Sequence, residues 1–223
     1  MKKIVISLIG FFLILWTIPF ATAKDLEIKG KKLTSQKPPF TLSLPSELQL
    51  VHSFSQENPE ENSRTRIYLC MKEKDKQIEE MLIIQIADKT NPQAGPITVP
   101  SLKPYDEKKM YLKDRKKKGE LEVDYLIQLM AWNPDAPALQ PLRKKGIVIP
   151  SHWAMQGQFI FIYQGEHAAY VRYSKDTNAF ELKVSDKGED WEKRSISGNQ
   201  KKVYQTFQKS FMEMVDSVQI KSP

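Results

Sequence analysis

Apolar and polar residues alternate along much of the chain, and the pattern predicts strands more often than helices. Phe40, Leu42 and Leu44 alternate with Thr41 and Ser43 before Pro45 stops the run, and Leu48 to His52 predicts a second short strand. Asn58 to Ser63 has turn composition. Arg66–Lys72 and Met81–Ala87 read as a strand pair around the turn residues Lys74–Lys76. Leu82, Ile84 and Ile86 face one way and Met81, Ile83 and Ala87 the other, so this strand is apolar on both sides and belongs at the centre of a sheet covered on each face.

Asn91 to Pro104 carries four prolines and predicts an irregular loop, and residues 105–118 read as a charged helix closed by Gly119. Glu120 to Leu129 alternates with period two and predicts a strand. A short helical turn is expected near Leu142–Lys145, closed by Gly146. Gln158–Gln164 and Ala168–Ser174 form a predicted hairpin around Gly165-Glu166-His167, and Phe180, Leu182 and Val184 suggest an edge strand. The last element is a helix over about 199–217, entered at Ser197-Gly198. Its Val203, Phe207, Phe211, Met214, Val215 and Val218 share one face that seeks a core. The expected fold class is α/β (α+β): a largely antiparallel central sheet flanked by helices, with the C-terminal amphipathic helix packed on it.

The first residues change the picture from fold to destination. Lys2 and Lys3 precede a charge-free run from Ile4 to Phe20, and Ala21 and Ala23 occupy the small-residue positions of a signal-peptidase site. The run predicts a signal peptide over 1–23, cut after Ala23, and a periplasmic or secreted mature chain. An uncleaved anchor is the competing reading, since 17 residues lie at the lower limit for a bilayer of roughly 30 Å. Residues 24–37, rich in lysine and poor in apolar anchors, read as a flexible leader to a single globular domain over 38–220.

Cleavage removes two lysines and no acid, taking the formal net charge from +7 to +5. That mild excess is compatible with an anionic envelope surface or a protein partner. Export and the absence of aromatic–basic recognition motifs argue against nucleic acid. Cys70 is the only cysteine, so no internal disulfide can form, and its place in a strand-like segment makes it a small buried apolar side chain.

The element order resembles the Mog/PsbP-like group of α/β/α sandwiches. The likeness rests on Phe40-Thr41-Leu42-Ser43-Leu44-Pro45, the antiparallel strands, the hairpin from Phe159 to Tyr173, and the closing Phe211–Val218 segment. It implies a binding or assembly role without a shared active site, and it carries over no functional residue.

Candidate chemistry is sparse. His52, His152 and His167 lie far apart and lack the spacing of a metal site. His167 reads as a solvated turn residue, and His152 precedes Trp153 in a loop entering a buried strand. No Gly-x-Ser-x-Gly elbow occurs. Glu120, Glu122 and Asp124 share a strand face, and either His152 or this face offers the alternative of a small hydrolase or cation-dependent enzyme. The strongest local anomaly is basic: Lys108, Lys109, Lys113, Arg115, Lys116, Lys117 and Lys118 lie within eleven residues that contain one acid, Asp114. These seven are the candidate binding residues for an acidic partner or an anionic envelope surface. No catalytic, cofactor or metal-binding residue is assigned, and the leading expectation is an exported, non-catalytic binding or assembly module.

Overall fold

The computed structural model describes residues 25–180 and 183–220, together with the backbone of Ile4–Val5, which pairs in parallel with Ile97–Thr98. The signal-peptide reading therefore lies almost wholly outside the described residues. Two antiparallel sheets and one long helix make the fold. The large sheet contains β4 (Gln49–Asn58), β5 (Ser63–Lys74), β6 (Gln77–Lys89), β7 (Met110–Lys118), β8 (Leu121–Ala131), β9 (Trp153–Tyr163) and β10 (His167–Asp176). Their spatial order is β4-β5-β6-β10-β9-β8-β7. The small sheet has the order β11-β3-β2-β1, built from β1 (Leu26–Lys29), β2 (Lys32–Gln36), β3 (Pro39–Ser43) and β11 (Gln219–Ile220).

The central position expected for the doubly apolar strand is observed, because β6 lies between β5 and β10. Its two faces are covered differently. On the first face Leu82, Ile84 and Ile86 pack with Tyr68, Val171, Phe159 and Phe161 against Leu33, Phe40 and Leu42 of the small sheet and Phe207, Phe211 and Met214 of α2 (Gly198–Asp216). Phe40 meets Phe161 edge-on at 5.4 Å, and Tyr173 stacks on Phe207 at 5.6 Å. On the second face Ile67, Leu69 and Met81 are covered by Trp132, Leu139, Leu142 and Ile149, from the segment that holds the short α1 (Gln140–Lys144). Leu102 of the proline-rich loop covers Leu126 and Ile160.

The fold is thus mostly antiparallel sheet with the C-terminal helix packed on it. The helices expected to flank the sheet are replaced by a second sheet on one side and irregular chain on the other. Three local expectations are corrected, the first two because a strand needs fewer apolar residues than a helix. The charged helix of 105–118 is a 3-10 turn at Glu107–Lys109 followed by β7. As an edge strand β7 has a single neighbour, and Tyr111 and Leu112 suffice to anchor it. Gly119 (φ +61°) turns the β7–β8 hairpin; a left-handed glycine serves that purpose as well as it caps a helix.

Within the leader read over 24–37, the described residues 25–37 instead contain the hairpin β1–β2. Leu26 and Leu33 are buried, and Gly30 (φ +56°) begins the tight turn. The edge strand suggested by Phe180, Leu182 and Val184 is absent where the structure describes it. Thr177–Phe180 is a 3-10 turn, Val184 lies outside any strand, and Leu182 falls outside the described residues.

Candidate functional site

The residues of the basic run sit at one edge of the large sheet and divide by strand parity. Lys116 and Lys118 turn toward the end of α2. Lys116 pairs with the Asp216 carboxylate, and Lys118 Nζ donates to the Asp216 carbonyl and to Val218 O (2.9 Å). Cations at a helix C-terminus satisfy its last carbonyls and oppose its dipole, so these two lysines fasten the helix to the sheet. Burial lowers the Lys118 pKa, and its neighbour Lys116 adds to that against the pull of Asp216.

Arg115 faces the other way. Its Nε and Nη2 donate to Asp124 at 2.5 and 3.1 Å, and Nη1 donates to Glu122 at 3.3 Å. Lys109 is buried, bonded to Asp106 at 2.7 Å and set 5.4 Å over the Trp153 ring. Lys108 lies 3.6 Å from Glu192. Among the described residues Lys113, Lys117 and Lys118 of the seven have no carboxylate at ion-pair distance, and Lys118 is held by two backbone carbonyls, so most of the charge is spent inside the molecule.

The carboxylate face is likewise occupied. Glu122 and Asp124 both serve Arg115, while Glu120 lies in the turn before β8. His152 is at the opposite end of that strand. Its neighbour Trp153 pairs with Ala131, seven residues beyond Asp124, or about 23 Å at ~3.3 Å per residue. His152 therefore lies far from the carboxylate face, two of whose members are held by Arg115.

Each of two histidines instead binds one aspartate. His152 Nε2 is 2.6 Å from the buried Asp176, which also accepts from the Asn178 amide at 2.8 Å. His167, expected to be solvated, is mostly buried and sets Nδ1 2.8 Å from Asp88. Asp88 in turn accepts from Arg66 Nε and Nη2 at 2.8 and 3.0 Å. Burial pushes the Asp88 carboxyl up, but the hydrogen bonds from His167 and Arg66 outweigh it and hold the group below the usual carboxylate range.

Arg66 also reaches Asp25, Tyr68 Oη and the Lys37 carbonyl, which ties the two sheets together. Among the described residues no hydroxyl or thiol is hydrogen-bonded to either imidazole, and no group of three or more His, Cys, Asp or Glu could hold a metal ion. Cys70 is fully buried, and burial pushes its thiol up to about 12, far from the reactive thiolate form.

Two features were not found by sequence reasoning. The first is a row of buried polar side chains across the second face. Tyr105 N donates to Gln128 Oε1 (2.9 Å), Gln128 Nε2 to Gln156 Oε1 (3.1 Å), Gln156 Nε2 to Ser174 Oγ (3.0 Å), and Tyr170 Oη to Gln158 Oε1 (2.5 Å). The available signal was the two-residue spacing of Gln156 and Gln158, which reads as an outward-facing row unless a loop covers it. The second is the outer edge of β4, which pairs with no strand among the described residues. Beside β7, Ser101, Leu102, Met110, Lys113, Asp114, Arg115, Asp124 and Tyr125 line an open depression of about 480 Å³.

A two-sheet antiparallel β fold closed by one C-terminal helix is the class this geometry defines. No known family model, curated protein or solved structure matches the chain. Among the described residues no helix is long and apolar enough to cross a membrane.

Proposed function

We propose that the chain is an exported, non-catalytic module of the cell envelope that binds an extended segment of a partner protein along the outer edge of β4. The contrast between the two edges of the large sheet carries this reading. β7 has five basic residues in nine and so repels an added strand, whereas β4 has one charged residue, Glu57, in ten. An edge strand presents unpaired N–H and C=O groups, and strand addition uses them as a template. The bulge between Leu50 and His52 and the bond from Lys145 Nζ to Val51 O (2.9 Å) modify one end of β4, leaving Ser53–Asn58 as the straight part.

Six residues suit a short extended peptide. They fall far short of the roughly 800 Å² per partner that a stable self-association requires. The leader ending at Ala23 supports export, and the pattern-level resemblance to Mog/PsbP-like proteins agrees with a binding or assembly role. The contact thereby shifts from the basic run, most of whose charges have internal partners, to the opposite edge of the sheet.

Photo-crosslinking in the native host tests this. A photoreactive residue at Gln56 should give a discrete adduct heavier than the mature chain and lighter than two copies of it, or otherwise distinct from that dimer mass. The same residue at Lys117 should give none. Adducts from Lys117 alone would return the contact to the basic run, and an adduct at twice the chain mass would mean self-association instead.

A further inference from the structure

We propose that the second face of the large sheet carries a carboxylate-binding site centred on Arg172. Strand register places Arg172 in the middle of β10, with Ile83 of β6 on one side and Gln158 of β9 on the other. Its guanidinium lies 5.2 Å over the Tyr170 ring, and its Nε is closed to water yet has no hydrogen-bond acceptor. Arg172 itself is half-buried; the fully buried cations Arg66 and Lys109 are paired with Asp88, Asp25 and Asp106, and the half-buried Arg64 with Glu57. The carboxylates on the same face of β8 and β10 are already engaged, Glu122 and Asp124 by Arg115 and Asp176 by His152. With Nε enclosed, the two Nη groups of this stacked, planar guanidinium are its reachable donors; they have no acceptor among the described residues and can take a carboxylate bidentately.

The surroundings define the ligand's class. Gln85 pairs opposite Tyr170 and so lies diagonal to Arg172; its amide is half-buried and makes no hydrogen bond among the described residues. Tyr170 Oη is committed to Gln158, which fixes the stacking ring in place. Val99 and Leu102 pack with Tyr170 and Ile160, and Trp132 and Leu142 belong to the cluster that includes Ile83, so apolar chain covers the sheet positions beside Arg172. One unpaired cation flanked by a neutral amide matches a singly charged carboxylate. A phosphate, with more charge, generally gathers more than one cation.

Backbone-amide NMR on the full mature chain tests the site, with sodium acetate, sodium succinate and inorganic phosphate titrated at constant ionic strength. The amides of residues 170–174 and 83–85 should shift saturably with acetate or succinate and drift without saturation in phosphate. Arg172→Lys, which keeps the charge but loses the fork, should weaken the response about tenfold, and Arg172→Met should abolish it. Gln85→Ala, which leaves the guanidinium intact, should weaken binding several-fold. The rest of each variant's spectrum reports that it remains folded. Non-saturating drift in all three salts, an undiminished response in folded Arg172→Lys, or saturation by phosphate alone would each overturn the proposal.

Discussion

Glu80 shows how one buried group is kept charged by its neighbours. It is almost fully enclosed, and burial alone would raise its pKa. Hydrogen bonds from Ser46 Oγ (2.5 Å) and Tyr173 Oη (2.6 Å), with Lys175 at 3.3 Å, reverse that and hold it below the usual carboxylate range. Burial and the adjacent carboxylate push the Tyr173 hydroxyl strongly upward, so it stays a donor. Asp88 is depressed in the same sense from 3.8. His52 is lowered from 6.5, first by burial and then by Lys145. In all three the unfolded chain binds protons more readily than the folded one. Their stabilisation is therefore complete above the unfolded values and is lost as pH falls through the folded ones. Thermal unfolding should show a melting temperature that begins to decline below about pH 6.5 through His52 and falls more steeply below about pH 4.5. Glu80→Gln should lower stability near neutrality by about 1–3 kcal/mol, since it weakens charge-assisted bonds. It should also flatten the acid limb, and an unchanged acid limb would show that Glu80 does not contribute to it.

At the level of elements, legibility followed the number of apolar residues each element needs. β6 and β9, each buried on both faces, announce themselves by continuous apolar runs, and α2 by its Phe207–Phe211–Met214–Val215 stripe. β7 did not, because an edge strand satisfied by Tyr111 and Leu112 leaves room for a lysine run that equally suits a solvated helix. The candidate sites were still less legible. Arg172 and the buried glutamines acquire meaning only once register sets β10 between β6 and β9 and the loops cover the face. Gly157 makes the point from the other direction. It looks like an interruption of β9, yet a Cβ there would overlap the Phe211 ring, so its absence lets α2 seat on the sheet. Gly157→Ala should cost about 1–3 kcal/mol by overpacking, measured by urea unfolding. Adding Phe211→Leu should recover part of that loss, because the smaller side chain vacates the overlap. Simple additivity of the two costs would mean the contact is not the cause.

For the whole molecule the decisive question is what covers the first face of the large sheet. α2 reaches β9, but the region around Leu82, Ile84 and Ile86 is shared with the small sheet, whose Leu26, Leu33 and Phe40 enter the same cluster. The small sheet is held at three places: by Arg66, which joins Asp25 and the Lys37 carbonyl; by Gln219–Ile220, which return from α2 to pair with Thr41 and Phe40; and by the Ser43 amide, which donates to Ser217 Oγ at 2.8 Å. If residues 24–37 were a loose leader, a chain beginning at Pro38 would unfold like one beginning at Lys24. The arrangement predicts otherwise. Removing them uncovers part of the first face, deletes two buried leucines and strips Arg66 of Asp25 and the Lys37 carbonyl while its bonds to Asp88 persist. Truncation of one buried leucine costs about 2–5 kcal/mol, so the shortened chain should lose at least about 4 kcal/mol and approach the limit of a typical domain's total stability. Comparing the two chains by urea denaturation, with Leu33→Ala in the longer one as an intermediate case, places the loss on the hairpin's packing. Coincident curves for both chains would show that β1 and β2 add nothing to the core they cover.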